Sequence, residues 1–348
     1  MQRGSLGPDS FAPAVQRPSG PHNSGPVLKE YTIKTKKLAQ IFQLTFDANR
    51  NLWFDSYTPY VGEMTPGGAI SAHVLPRKTN PYGLESVDSL TLGPDHNIWF
   101  TDNVGKEIGT ISPSGEIREY QPFRKTGYAF TDYIVAFQRH VWITMPFFNV
   151  AYLAEVNNKA KVAQAIPLPG YFCYPGPITV DKTGTFWIGN GANCPKITRV
   201  TPEGKVRDFP IVAADGIWAV AAGPDGNVWF TAADAPTIND YVAKITPTGE
   251  ITKYPISNQV DSIAPGPDGN WWMTMPFVGK IESMTMQGNI VAEYTLPHAI
   301  NGSQPEFQAC QIIQGPDGNM WFGEGKRNKI GELVFSRKMI RELSQAPY

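Results

Sequence analysis

The stretch GPDGNVWFT at Gly223–Thr231 returns as GPDGNWWMT at Gly266–Thr274, as GPDGNMWFG at Gly315–Gly323 and as GPDHNIWFT at Gly93–Thr101. An Asp-Gly step suits turns that need positive φ, and the residues behind it alternate in strand fashion. Each copy carries a tryptophan. Set in register on it are Trp53, Trp99, Trp142, Trp187, Trp229, Trp272 and Trp321, spaced 42 to 49 residues apart. Self-similarity at this period marks a solenoid or a propeller.

One unit holds four short apolar runs separated by tight turns. SLTLG leads through the Pro-Asp turn into a run such as NIWFT. KEIGTIS then leads through SPSGE into EIREYQP. Four strands per repeat fit a propeller blade, and a closed ring removes exposed sheet edges. The predicted fold is all-β, a seven-bladed β-propeller of four-stranded antiparallel blades spanning 27–348. The tryptophan is expected to pack between neighbouring blades, because a ligand needs only one or two copies of it. LKEYTI (Leu28–Ile33) and KMIREL (Lys338–Leu343) both fit the outer slot of the last blade, and one of them is expected as a fifth strand.

Composition narrows the partners. Basic and acidic residues nearly cancel, 30 against 31, and no block of like charge occurs, which argues against nucleic acid or an anionic membrane. No apolar run is long enough for a membrane span. Residues 1–26 are rich in Pro, Gly and Ser and poor in aliphatics, so they are expected to be disordered. They lack the apolar centre of a secretory signal. The balance leans towards a periplasmic or secreted protein, and a monomer is expected.

Strands are lettered A to D from the hub outward. The Pro-Asp-Gly turns (A to B) and Pro-x-Gly turns (C to D) share one face and are repetitive. The B–C and D–A connections share the other and vary, as functional loops do. About eleven positions before each tryptophan stand the residues entering the hub: Phe42, Asp88, Asp132, Gly176, Trp218, Asp261 and Cys310. Asp88, Asp132 and Asp261, in VDSL, TDYI and VDSI, are expected to converge there. They would hold a cation such as Mg²⁺ or Ca²⁺, share protons, or cap strand ends. The variable rim supplies Tyr57, Asn103, Phe147, Tyr174, Asn190, Phe277, Glu306 and Phe307. With Phe42 and Trp218 these suit an uncharged or cationic small-molecule or peptide-like ligand. Cys173 and Cys194 flank one blade on that face; a disulfide, implying an oxidising compartment, and two free thiols are both open readings.

The phrases GPDGNVWFT and KITPTGEITKYPI, repeated around the chain, resemble the streptogramin B lyase (virginiamycin B lyase) family over roughly residues 28–343. The resemblance implies a seven-bladed propeller that opens a cyclic depsipeptide by metal-assisted elimination, with Mg²⁺ held by glutamates and a histidine as base. Carried over by position, the family's histidines fall on Asp261 and Cys310, and its glutamates on Gln308 and Gly325, beside Glu324. A PHAI at Pro297–Ile300 matches the histidine motif, but His298 precedes Trp321 by 23 residues. His298 and Glu324 are therefore the catalytic candidates for a lyase. A non-catalytic binding propeller is the alternative.

Overall fold

In the computed structural model, the described residues are 14–16, 25–35, 37–56, 58–76, 87–102, 107–122, 132–146, 150–170, 173–191, 194–212, 214–234, 239–296, 310–325, 327–336, 338 and 340. They form seven antiparallel sheets, six of four strands and one of five. In blade 2, Ser89–Leu92 lies innermost and is followed outward by Ile98–Asp102, Glu107–Ile111 and Ile117–Tyr120. The inner strands pack side by side in a circle that closes where Ile312–Gln314 meets Leu44–Phe46.

The last blade is assembled from both ends of the chain. Val27–Thr32 pairs antiparallel with Lys329–Val334 and is its fourth strand. Ala14–Gln16, inside the Pro/Gly/Ser-rich stretch, pairs with Leu28–Glu30 as a fifth. The segment KMIREL fills no strand slot among the described residues.

The repeated phrase is a cap for its tryptophan. The Asp225 carboxylate accepts the Asn227 backbone N–H at 3.1 Å, the Asn227 side-chain amide at 2.8 Å and the Trp229 indole N–H at 3.2 Å. Asp95, Asp268 and Asp317 repeat the arrangement for Trp99, Trp272 and Trp321. Asp47 and Asp181 hold Trp53 and Trp187 at 3.0 and 2.9 Å. The leading glycine is required by the closeness of the ring: a Cβ at Gly266 would stand 2.3 Å from Trp272 Cδ1. Blade 3 has a shorter turn without the aspartate. There Trp142 is half-buried against Phe186, ring centroids 4.6 Å apart, and His140 pairs with Glu155.

Each tryptophan packs across a blade boundary, as the repeat implies. Trp53 meets Val87, Leu90 and Phe100 of blade 2, and Trp272 meets Ile312, Met320 and Leu333 of blade 7. Seven such apolar clusters form, one at each boundary. Asp268→Ala is expected to lower stability by about 1–3 kcal/mol, since it leaves a buried indole N–H without its acceptor. Denaturant unfolding measures this, and a loss under about 0.5 kcal/mol would remove the cap's structural weight.

Candidate functional site

The hub is a channel of about 510 Å³ whose walls include Phe42, Tyr133, Pro177, Trp218, Asp261 and Gln311. Four residues lead into the inner strands at one equivalent position, and Asp261 among them lines the channel. The backbone N–H of Asp88, Asp132, Asp261 and Cys310 donates to the carbonyl of Thr101, Thr144, Thr274 and Gly323 respectively, at 2.8 to 3.2 Å. Blades 4 and 5 depart from this pattern. Their inner strands carry irregularities between Pro175 and Ile178 and between Ile217 and Ala219. Gly176 and Trp218 sit in those bulges, which re-aim side chains. Trp218 is left 41% exposed.

Aspartates dominate the electrostatics of the mouth. Burial pushes the Asp132 carboxyl up to about 7 and that of Asp261 up to about 6. Burial, and then the fields of Asp132, Asp261 and Asp88, push the Tyr133 hydroxyl well up. The Cys310 thiol is raised well above its ordinary value by burial, with Asp261 and Asp55 adding to the effect. No Lys, Arg or His lines the channel among the described residues.

Asp55 is a member of this group that the count back from the tryptophans misses. It is buried, and its Oδ1 accepts the backbone N–H of Phe42 at 2.7 Å and of Gln43 at 2.9 Å. Burial raises it to about 8 despite those two donors, and the field of Asp88 adds to the rise. The sequence did carry a signal: Trp-Phe is followed by Thr at Thr101 and Thr231 but by Asp at Asp55.

The rim residues separate into groups. Phe42 and Trp218 face the channel. Tyr174 and Phe277 are exposed on the variable face. Asn190 is buried, and its amide donates to Ile188 O, Lys196 O and Thr198 Oγ1 inside its own blade. Tyr57, Asn103, Phe147, His298, Glu306 and Phe307 lie outside the described residues. Cys173 and Cys194 are joined as a disulfide, with Cα atoms 5.5 Å apart. The bond ties the entry to the inner strand of blade 4 to the loop after its second strand.

Glu324 is fully buried at the end of the second strand of blade 7, not on the channel wall. Burial raises it to about 8, reinforced by Glu30 from the N-terminal strand and opposed by Lys329 and Arg327. Lys329 Nζ reaches Glu30 Oε2 at 3.0 Å, and Arg327 reaches Glu324 Oε2 at 3.4 Å. Glu324 thus belongs to the seam that closes the ring.

The family's Mg²⁺ can be tested against these residues. Among the described residues no three His, Cys, Asp or Glu side chains group closely enough to hold an ion. Cys310, at one histidine position, is fully buried. Glu324, beside one glutamate position, is engaged in the seam. The described residues do not fit the ion as that family would hold it.

The architecture defines a seven-bladed β-propeller whose N-terminal strand completes the final blade, with Asp261 on the wall of its hub. A family model, the virginiamycin B lyase family, matches residues 22–261 and 212–343. The chain belongs to that family. Virginiamycin B lyase from Staphylococcus aureus is similar in structure, with a TM-score of 0.73 and 23% identity over 89% of this chain and 99% of that one. Its catalytically inactive histidine-to-alanine variant with quinupristin gives the same values. The WD40 propeller domain of Doa1 aligns with a TM-score of 0.66 and 11% identity, covering 94% of this chain and 99% of that one. At these identities the likeness is one of fold. No curated protein sequence matches the chain. No helix among the described residues is long and apolar enough to cross a membrane.

Proposed function

We propose that this protein is a binding member of the virginiamycin B lyase family, taking a small-molecule or peptide-like ligand at the variable mouth of the hub. One observation carries the reading. The positions that the resemblance assigns to the family's histidines hold Asp261 and Cys310. A buried thiol whose pKa lies well above its ordinary value is a poor general base near neutrality. The recognition elements are the exposed Trp218 and Tyr174, with Phe42 deeper in. The disulfide beside Tyr174 fixes two of the loops around it and suits an oxidising, extracytoplasmic location.

The decisive experiment incubates purified protein, in excess and with Mg²⁺, with a streptogramin B depsipeptide. The expected result is no linearisation by mass spectrometry, together with saturable quenching of tryptophan fluorescence that Trp218→Phe abolishes. Ring opening that Asp261→Ala removes would instead establish metal-assisted elimination. Absence of both quenching and ring opening would remove the depsipeptide as a ligand.

A further inference from the structure

We infer that the hub takes an organic ammonium group, seated against the Asp261 carboxylate beside the aromatic rings of Tyr133 and Trp218. The inference rests on the reading of the hub mouth as a binding site and narrows the chemistry of what enters it.

Three observations converge. Asp261 and Tyr133 both line the channel, and neither side chain has a hydrogen-bond partner among the described residues. Both residues are half-buried, so the carboxylate and the hydroxyl stay open to the channel and are available to a guest that hydrogen-bonds to them. The second observation is charge. Asp261, Asp132 and Asp88 all act on the Tyr133 hydroxyl, so their fields overlap in the channel. No cationic side chain offsets them among the described lining residues. Asp261 is the charged side chain on the described channel wall, and a low-dielectric cavity with a net negative field concentrates ligands of the opposite sign. The third observation is aromatic. Trp218 is pushed out by its bulge and remains 41% exposed on the same channel. An indole face attracts an alkylammonium and supplies apolar contact to the carbon behind it.

The same facts separate an ammonium from a metal ion. Mg²⁺ demands near-octahedral oxygens at about 2.0–2.1 Å and sheds water reluctantly. No three suitable donors converge among the described residues. An ammonium accepts acceptors spread over a wider shell, and a channel of about 510 Å³ leaves room for the organic group that carries it.

Calorimetric titration of the full chain at pH 7.5 and low salt, with benzylammonium and then with neutral benzyl alcohol, tests the inference. Benzylammonium is expected to bind at least tenfold more tightly than the alcohol. The preference should shrink at high salt and fall at least tenfold in Asp261→Asn, with the melting temperature undiminished. If Asp261→Asn fails to fold, Asp132→Asn carries the same comparison. Equal affinity for the two probes, no binding of benzylammonium, or stoichiometric binding of Mg²⁺ that excludes it would each overturn the inference. If benzylammonium is silent while the depsipeptide still quenches Trp218, the ammonium inference falls and the binding reading stands.

Discussion

A chain shortened to begin at Lys34 is expected to lose its cooperative thermal transition and to bind a hydrophobic dye at room temperature. The missing residues are structural members of two boundaries. Leu28, 1% exposed, packs with Trp272, Ile281 and Leu333 between blades 6 and 7. Ile33, 4% exposed, packs with Trp321 and Leu44 between blades 7 and 1. Burying each side chain contributes about 1.5–3 kcal/mol. The full antiparallel ladder to Lys329–Val334 is lost as well, exposing a sheet edge. Against a total stability of order 5–15 kcal/mol, this deletion removes much of the margin. Leu28→Ala is the graded version and is expected to cost about 2–5 kcal/mol. Circular dichroism melts of both proteins measure the effects. A shortened chain that melts like the full one would show that the ring closes without its N-terminal strand.

Asp55→Asn is expected to raise the melting temperature at pH 9 and to lose that advantage progressively towards pH 4. The carboxyl is buried, and burial raises it to about 8 in the folded protein. An unfolded aspartate titrates near 3.9. Folding therefore takes up a proton between about pH 4 and pH 8, and stability falls across that window as pH rises. Asp132 and Asp261, raised to about 7 and about 6, act in the same direction and remain in the variant. An asparagine oxygen can accept the same N–H groups of Phe42 and Gln43 and carries no charge. The expected gap at pH 9 is about 1–3 kcal/mol, a conservative share of the full shift. Melts across the pH range decide it. A gap independent of pH would show that Asp55 keeps an ordinary acidity in the fold.

The propeller itself was legible because its repeat is written in residues with rigid local demands. The turn aspartate, the close-approach glycine and the tryptophan act as one unit, so counting tryptophans counts blades. The hub positions were legible for the same reason where the inner strand is regular, at Asp88, Asp132, Asp261 and Cys310. Counting back from the tryptophan does not reveal a bulge. Gly176 and Trp218 therefore have the right address but an altered orientation. Asp55 was overlooked because it belongs to the end of a second strand, where Thr101 and Thr144 stand in other blades. Glu324 looked like a rim residue from its spacing alone. Its charged neighbour in the seam is Glu30, almost three hundred positions away, which local sequence does not connect to it. The choice between the two candidate closing strands also lay beyond pattern, since both segments are six-residue runs of mixed apolar and charged residues. Pairing with the third strand of the last blade settles it for Leu28–Ile33.

The composite last blade also governs when the hub comes into being. During synthesis the first blades emerge with their local hairpins ready to form, while Val27–Thr32 waits for a partner made only at Lys329–Val334. That pairing is the longest-range contact of the ring and among its slowest to form, because loop closure over most of the chain must precede it. Until it forms, the inner strands are an open arc and the acids of the mouth face water rather than one another. Nascent and incompletely synthesised chains are thus without a closed hub, so the binding proposed for it belongs to molecules that have finished folding.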